Sequence, residues 1–112
     1  MTILVVVRDD DLRALVRHML QAPDRCILVA AHAAEAADVA GASELDLLVT
    51  ELESPIDGRV LAERFRARRP DLPVVYVGGH PDSAEPREET ILRTPFTREE
   101  LADAVRCVLR GA

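Results

Sequence analysis

The chain predicts an α/β fold: a doubly wound sheet of five parallel strands in the order 2-1-3-4-5, with helices on both faces. Three observations carry this. Short apolar runs alternate with stretches of helical spacing along the whole length. Several runs are apolar at every position rather than at every second one, as strands buried on both faces are. The helical stretches also bring their own start and stop residues. A length of 112 residues predicts one domain, 1–112, able to bury a single core.

The first run, Ile3-Leu4-Val5-Val6-Val7, is largely β-branched and free of polar residues, so it reads as a buried strand. Asp9-Asp10-Asp11 follows and supplies helix caps. Behind it Leu12, Leu15, Val16, Met19 and Leu20 stand at helical spacing. Pro23-Asp24 is a turn into a second strand, Cys26 to Ala30. The alanine-rich stretch from His32 to Ala40 predicts a small helix that ends near Gly41. Leu47 to Thr50 is the third strand, and Pro55 to Gly58 a loop. Val60, Leu61, Arg64 and Phe65 open a third helix, which Pro70 stops. Pro73 to Val77 is the fourth strand, closed by Gly78-Gly79. His80 to Glu89 is polar and contains two prolines, which argues against a full helix there. Thr90 to Arg93 is a short fifth strand. The last helix is the best marked. Thr97 and Glu100 form a capping box, and Phe96 with Leu101 a hydrophobic staple. Leu101, Val105, Val108 and Leu109 make its buried stripe, and Gly111 suits its C-terminal cap.

Charge narrows the function. A net charge of −6 argues against nucleic acid as a direct partner, because phosphate binding needs a basic face. No run of about 18 apolar residues occurs, so no membrane span is expected. The opening lacks the basic start of a secretory signal, and a cytoplasmic protein is expected. The basic residues are all arginine, which excludes any mechanism that needs a lysine amine. Cys26 and Cys107 have no metal or redox spacing and are expected as reduced, buried thiols. His18, His32 and His80 lack ligand spacing and are expected at the surface. Arg64, Arg66, Arg68 and Arg69 are expected on a solvated helix face.

Function in a doubly wound sheet sits beyond the carboxyl ends of the strands. Those ends are Val7-Arg8-Asp9, Thr50-Glu51, Val77-Gly78 and Arg93-Thr94. Around them the chain resembles the receiver domains of response regulators in two-component (phosphorelay) signalling. Asp46 to Thr50, then Pro55 and Asp57-Gly58, is similar to the phosphoacceptor strand and its loop. Leu61-Ala62-Glu63-Arg64 to Pro70-Asp71-Leu72-Pro73 is similar to the third helix and its exit. Thr94-Pro95-Phe96 is similar to the family's Lys-Pro-Phe motif. The short stretch between Gly79 and Ile91 is similar to receivers attached to hybrid histidine kinases, in which the fourth helix is often abbreviated. The resemblance implies a flavodoxin-like fold with the fourth helix shortened or absent. By analogy it also implies a cis peptide at Thr94-Pro95, an uncommon state for an X–Pro bond.

The family's site uses two acids after the first strand to bind magnesium and an aspartate to accept the phosphoryl group. A Thr or Ser after the fourth strand and a Lys after the fifth contact the phosphoryl oxygens. Phosphoryl transfer needs such a set because its catalysis is positioning plus neutralisation of charge. Here the acceptor position holds Glu51, the hydroxyl position Gly78 and the lysine position Thr94. With Arg13 matched to the basic residue of the first helix, the acidic pair falls on Val7 and Arg8. Asp9 and Asp10 reach the pocket only by a slip of one residue. Asp9-Asp10-Asp11 also reads as charge favoured by a helix dipole, and Glu51 as a solvated strand-end carboxylate.

The expectation is a degenerate, atypical receiver. It would be no enzyme, hold no cofactor or metal, and act on a protein partner such as a histidine kinase or an output domain, or as a homodimer. A phospho-acceptor that uses Glu51 or nearby acids with magnesium is one alternative. A small-ligand sensor that uses the vacated pocket is another. The partner surface is expected on the fifth strand, the last helix and His80 to Glu89. Arg8 is expected to neutralise Glu51 with an ion pair where a metal would otherwise stand.

Overall fold

The apolar runs form strands, and their period of two sorts side chains onto two faces. The strands are β1 (Thr2–Val6), β2 (Cys26–Ala30), β3 (Leu47–Glu51), β4 (Val74–Val77) and β5 (Thr90–Leu92). All neighbours pair in parallel, in the order β2-β1-β3-β4-β5. Four helices are α1 (Asp10–Leu20), α2 (Ala33–Ala40), α3 (Gly58–Arg66) and α4 (Arg98–Leu109). The computed structural model describes residues 1–41, 43–52, 57–78, 90–93 and 95–110.

One face of the sheet presents Leu4, Val6, Leu48, Val74 and Tyr76, packed with Ala36 and Ala40 of α2 and Leu61 and Ala62 of α3. The other presents Ile3, Val5, Val7, Leu47, Val49, Val75 and Val77, packed with Val16 and Leu20 of α1 and Leu101, Ala104 and Val105 of α4. Residues 3 to 7 and 47 to 49 are fully buried, as continuous apolar strands between two helical layers must be. The helices begin where their caps stand. Asp9 accepts from the Leu12 amide, His32 from Glu35, and Asp57 from Val60. Thr97 and Glu100 complete the capping box that opens α4. Phe96 packs against the cluster that holds Leu101, where the staple is expected.

Several expectations are corrected. Cys26 and Cys107 are both free but exposed. Cys26 opens an edge strand, and Cys107 lies on the outer side of α4, so neither is covered. Leu15 and Leu109 are 46% and 36% exposed, each on the flank of its helix rather than on its buried stripe. Ala104 takes the stripe position instead. Val60 is also exposed. Helix α3 starts two residues earlier than expected, at Gly58 behind its Asp57 cap, and ends at Arg66, before Pro70 is reached. The C-cap of α4 is Arg110; Gly111 lies outside the described residues. The expectation of a fourth helix shortened or absent falls on 79–89, outside the described residues.

The capping box gives a direct stability test. Thr97→Ala removes the side-chain acceptor for the Glu100 amide and is expected to cost about 1 kcal/mol in urea unfolding, with the slope unchanged.

Candidate functional site

The β1–β3 register sets Val6 against Thr50, and the β3–β4 register sets Glu51 against Val77. One step further along the chain, Val7, Arg8 and Gly78 therefore gather round Glu51 at the carboxyl edge of the sheet. The Glu51 side chain is half-buried. Its Oε1 accepts a hydrogen bond from the main-chain N–H of Arg8. The expected guanidinium pair does not form: the Arg8 residue is exposed and has no ion pair with Glu51. The chain turns outward into α1 directly after β1, which carries the Arg8 side chain to solvent and leaves its amide facing the carboxylate.

A second arginine at this edge, Arg13, is anchored to the main chain. Its Nη1 donates to the Val7 carbonyl at 2.9 Å and to the Arg8 carbonyl at 3.3 Å, and its Nη2 to the Asp10 carboxylate. The Arg13 side chain is only 21% exposed, whereas that of Asp10 is 85% exposed. The bond to the Val7 carbonyl is the sheltered part of the contact, and the ion pair is screened by water. Asp9 caps α1 with its Oδ1, 2.8 Å from the Leu12 amide. Asp9 and Asp10 thus take the reading of helix-terminal charge, with acidic residues in the first turn of α1. Sequence spacing contained a signal for the Asp10–Arg13 pair, since three residues on a helix bring side chains together. It contained none for the grip on the β1 carbonyls.

Gly78 has φ +84°, a left-handed conformation that L side chains rarely adopt. A Cβ added there would meet nothing within 4 Å. The position is open in space but strained for any residue bearing a hydroxyl. Its amide donates to the Leu92 carbonyl at 2.9 Å, which joins β4 to β5. Gly58 has a different role, which sequence reasoning missed. A Cβ there would overlap the Glu51 carbonyl oxygen, so glycine lets the start of α3 seat on the end of β3. Thr94 and the Thr94-Pro95 peptide lie outside the described residues, as do Pro55 and His80 to Glu89.

Among the described residues no group of three or more His, Cys, Asp and Glu is placed to hold a metal ion. His18 and His32 are exposed, and His32 is a helix cap. The arginine run is more structural than expected. Arg66 donates to the Leu72 carbonyl and Arg68 to that of Gly41. Arg69 donates to Leu45 and pairs with Asp46 and Asp71. A cleft of about 460 Å³ lies beside them, lined by residues that include Phe65, Leu45, Leu72 and Glu44. It opens before β3 and β4 begin, at the opposite end of the sheet from Glu51. No helix among the described residues is long and apolar enough to cross a membrane.

No family model matches the chain, and no curated protein does. Solved structures do. The chain is similar to the receiver domain of the hybrid histidine kinase CckA, with 29% identity and a TM-score of 0.79 over 97% of this chain and 99% of that one. It is similar to a response regulator receiver protein from Sinorhizobium medicae WSM419, with 26% identity and a TM-score of 0.84 over 98% and 94%. The chemotaxis response regulator CheY4 of Vibrio cholerae shares the fold at 23% identity, with a TM-score of 0.80 over 96% and 98%. The chain has the receiver-domain fold of two-component signalling over essentially its whole length.

Two stability measurements check the geometry of this edge. Arg13→Met keeps the aliphatic stem and removes three hydrogen bonds; it is expected to cost about 1–2 kcal/mol. Asp10→Asn and Arg8→Ala are expected to stay within about 0.5 kcal/mol of the parent. A cost at Arg8 that equals or exceeds that at Arg13 contradicts the arrangement. Gly78→Ser is expected to lower stability by about 1–2 kcal/mol through its backbone alone, with no steric clash to relieve by trimming neighbours.

Proposed function

We propose that the chain is a receiver-like signalling module that does not accept a phosphoryl group and works through protein contacts. One arrangement carries the reading. The Glu51 carboxylate is tied to the Arg8 amide while the Arg13 guanidinium grips the end of β1. Phosphoryl transfer asks for a metal, a cation and a hydroxyl or amide donor converging on one carboxylate. Here Asp9 caps α1 and Asp10 faces Arg13. Each already holds one carboxylate oxygen on a partner at the start of α1. Gly78 has no hydroxyl, and the chain has no lysine. These residues do not fit the metal-assisted chemistry of a phosphoacceptor, so the module needs neither magnesium nor another cofactor and is not an enzyme.

Its partner class follows from the likeness to a receiver of a hybrid histidine kinase: a kinase or an output domain, met in the cytoplasm. The outward face of α4 is the proposed contact surface. It exposes Arg98, Asp103, Arg106, Cys107 and Leu109 beside β5. Nucleic acid is disfavoured by the net charge of −6.

The test is chemical. The chain is incubated with magnesium and a small acyl phosphate donor, and its intact mass is followed. The expected mass is unchanged. An adduct that maps to Glu51, Asp9 or Asp10 would establish the phospho-accepting reading instead.

A further inference from the structure

The order of the sheet leaves β2 at an edge. Edge strands in soluble proteins are normally blunted by a charge, a proline or a bulge, since their open main chain invites another strand. This one has none of the three. Cys26-Ile27-Leu28-Val29-Ala30 is uncharged, and its register with β1 is unbroken from Thr2–Cys26 to Val6–Ala30. Ile27, Leu28 and Val29 are only partly buried, although all three belong to the apolar layers.

The main-chain pattern is specific. The Cys26 amide donates to the Met1 carbonyl, and the Ala30 carbonyl accepts from the Val7 amide. Residues 26, 28 and 30 therefore bond toward β1, and the amides and carbonyls of Ile27 and Val29 point outward. The two flanking outward positions are closed. The Arg25 amide donates to the Ala22 carbonyl, and the Ala31 amide to the Glu35 carboxylate at 3.2 Å. The open edge is thus two residues long, bounded on both sides.

We infer that β2 is a self-association edge, at which two copies of this chain pair antiparallel about a two-fold axis through Leu28. Antiparallel strands exchange paired hydrogen bonds between residues that face each other. Only one register uses open groups alone: Ile27 of each copy opposite Val29 of the other. Centring the axis on Ile27 would call on the Arg25 amide, and centring it on Val29 would call on the Ala31 amide; both are occupied. The flanks match in sign as well. In this register Arg25 lies opposite Ala31, whose amide holds the Glu35 carboxylate. A second copy fits better than an unrelated strand, because a two-fold pairing satisfies both copies with one short edge. The inference rests on β2 alone and is independent of the signalling reading.

Sedimentation of the intact chain over a concentration series, with amide exchange read residue by residue, tests it. The expected result is a monomer–dimer equilibrium in which the Ile27 and Val29 amides become more protected as concentration rises. Cross-linking checks the register. Leu28→Cys, with Cys26→Ser and Cys107→Ser, places two thiols at a non-hydrogen-bonded pair whose Cα atoms lie about 4.5 Å apart. It is expected to oxidise to a covalent dimer. In the parent, each Cys26 lies four residues along from the point facing its mate, roughly 13 Å, and is not expected to bridge. A monomer at every concentration overturns the inference. So does a dimer that leaves Ile27 and Val29 exchange unchanged, or one that bridges through Cys26.

Discussion

The parallel registration of β1 against β3 governs the carboxyl edge of the molecule. Both strands are buried on both faces, so a slip of one residue would send every side chain to the wrong layer. With Val6 held opposite Thr50, the Arg8 amide and the Glu51 carboxylate meet without further adjustment. Helix α1 must leave at once, because Asp9 already caps it. Arg13 then stands one turn into that helix. Its side chain leans back toward the helix N-terminus, as helical side chains do, and reaches the carbonyls that β1 leaves behind.

That geometry explains why the sheet was readable and part of the site was not. Strand and helix types follow from periodicity, and the caps at Asp9 and Thr97 from local hydrogen bonding. The receiver likeness was visible in the spacing around Glu51. Which arginine serves the edge was not. Adjacency in sequence favoured Arg8, but the sharp exit into α1 turns that side chain away. Cys26 was expected inside because thiols usually are; its exposure is a matter of which strand ends the sheet. The backbone state of Gly78 is set by how β4 hands over to β5, and no local pattern announces it.

Arginine has a common task across this lysine-free chain. Arg25 donates to the carbonyl of Leu20, the last residue of α1. Arg68 does the same for Gly41, which caps α2. Arg66 and Arg69 close the carbonyls of the loops before β4 and β3, and Arg13 those at the end of β1. Helix and strand ends leave carbonyls without partners, and a positive group near a helix C-terminus also suits its dipole. The planar fork of arginine can serve two acceptors at once. These five arginines thus hold chain ends in place while keeping their charge, and the net charge of −6 still comes from the excess of acidic residues.

The left-handed backbone at Gly78 has an evolutionary consequence. With glycine at φ +84°, a change to serine or threonine places a hydroxyl here only if the backbone leaves this conformation or bears its strain. The effect of a change at Glu51 then depends on the state of a residue at the end of the neighbouring strand. Such dependence is epistasis: the two positions are not free to vary independently. Chains that carry this edge are expected to change at the two positions together rather than one substitution at a time.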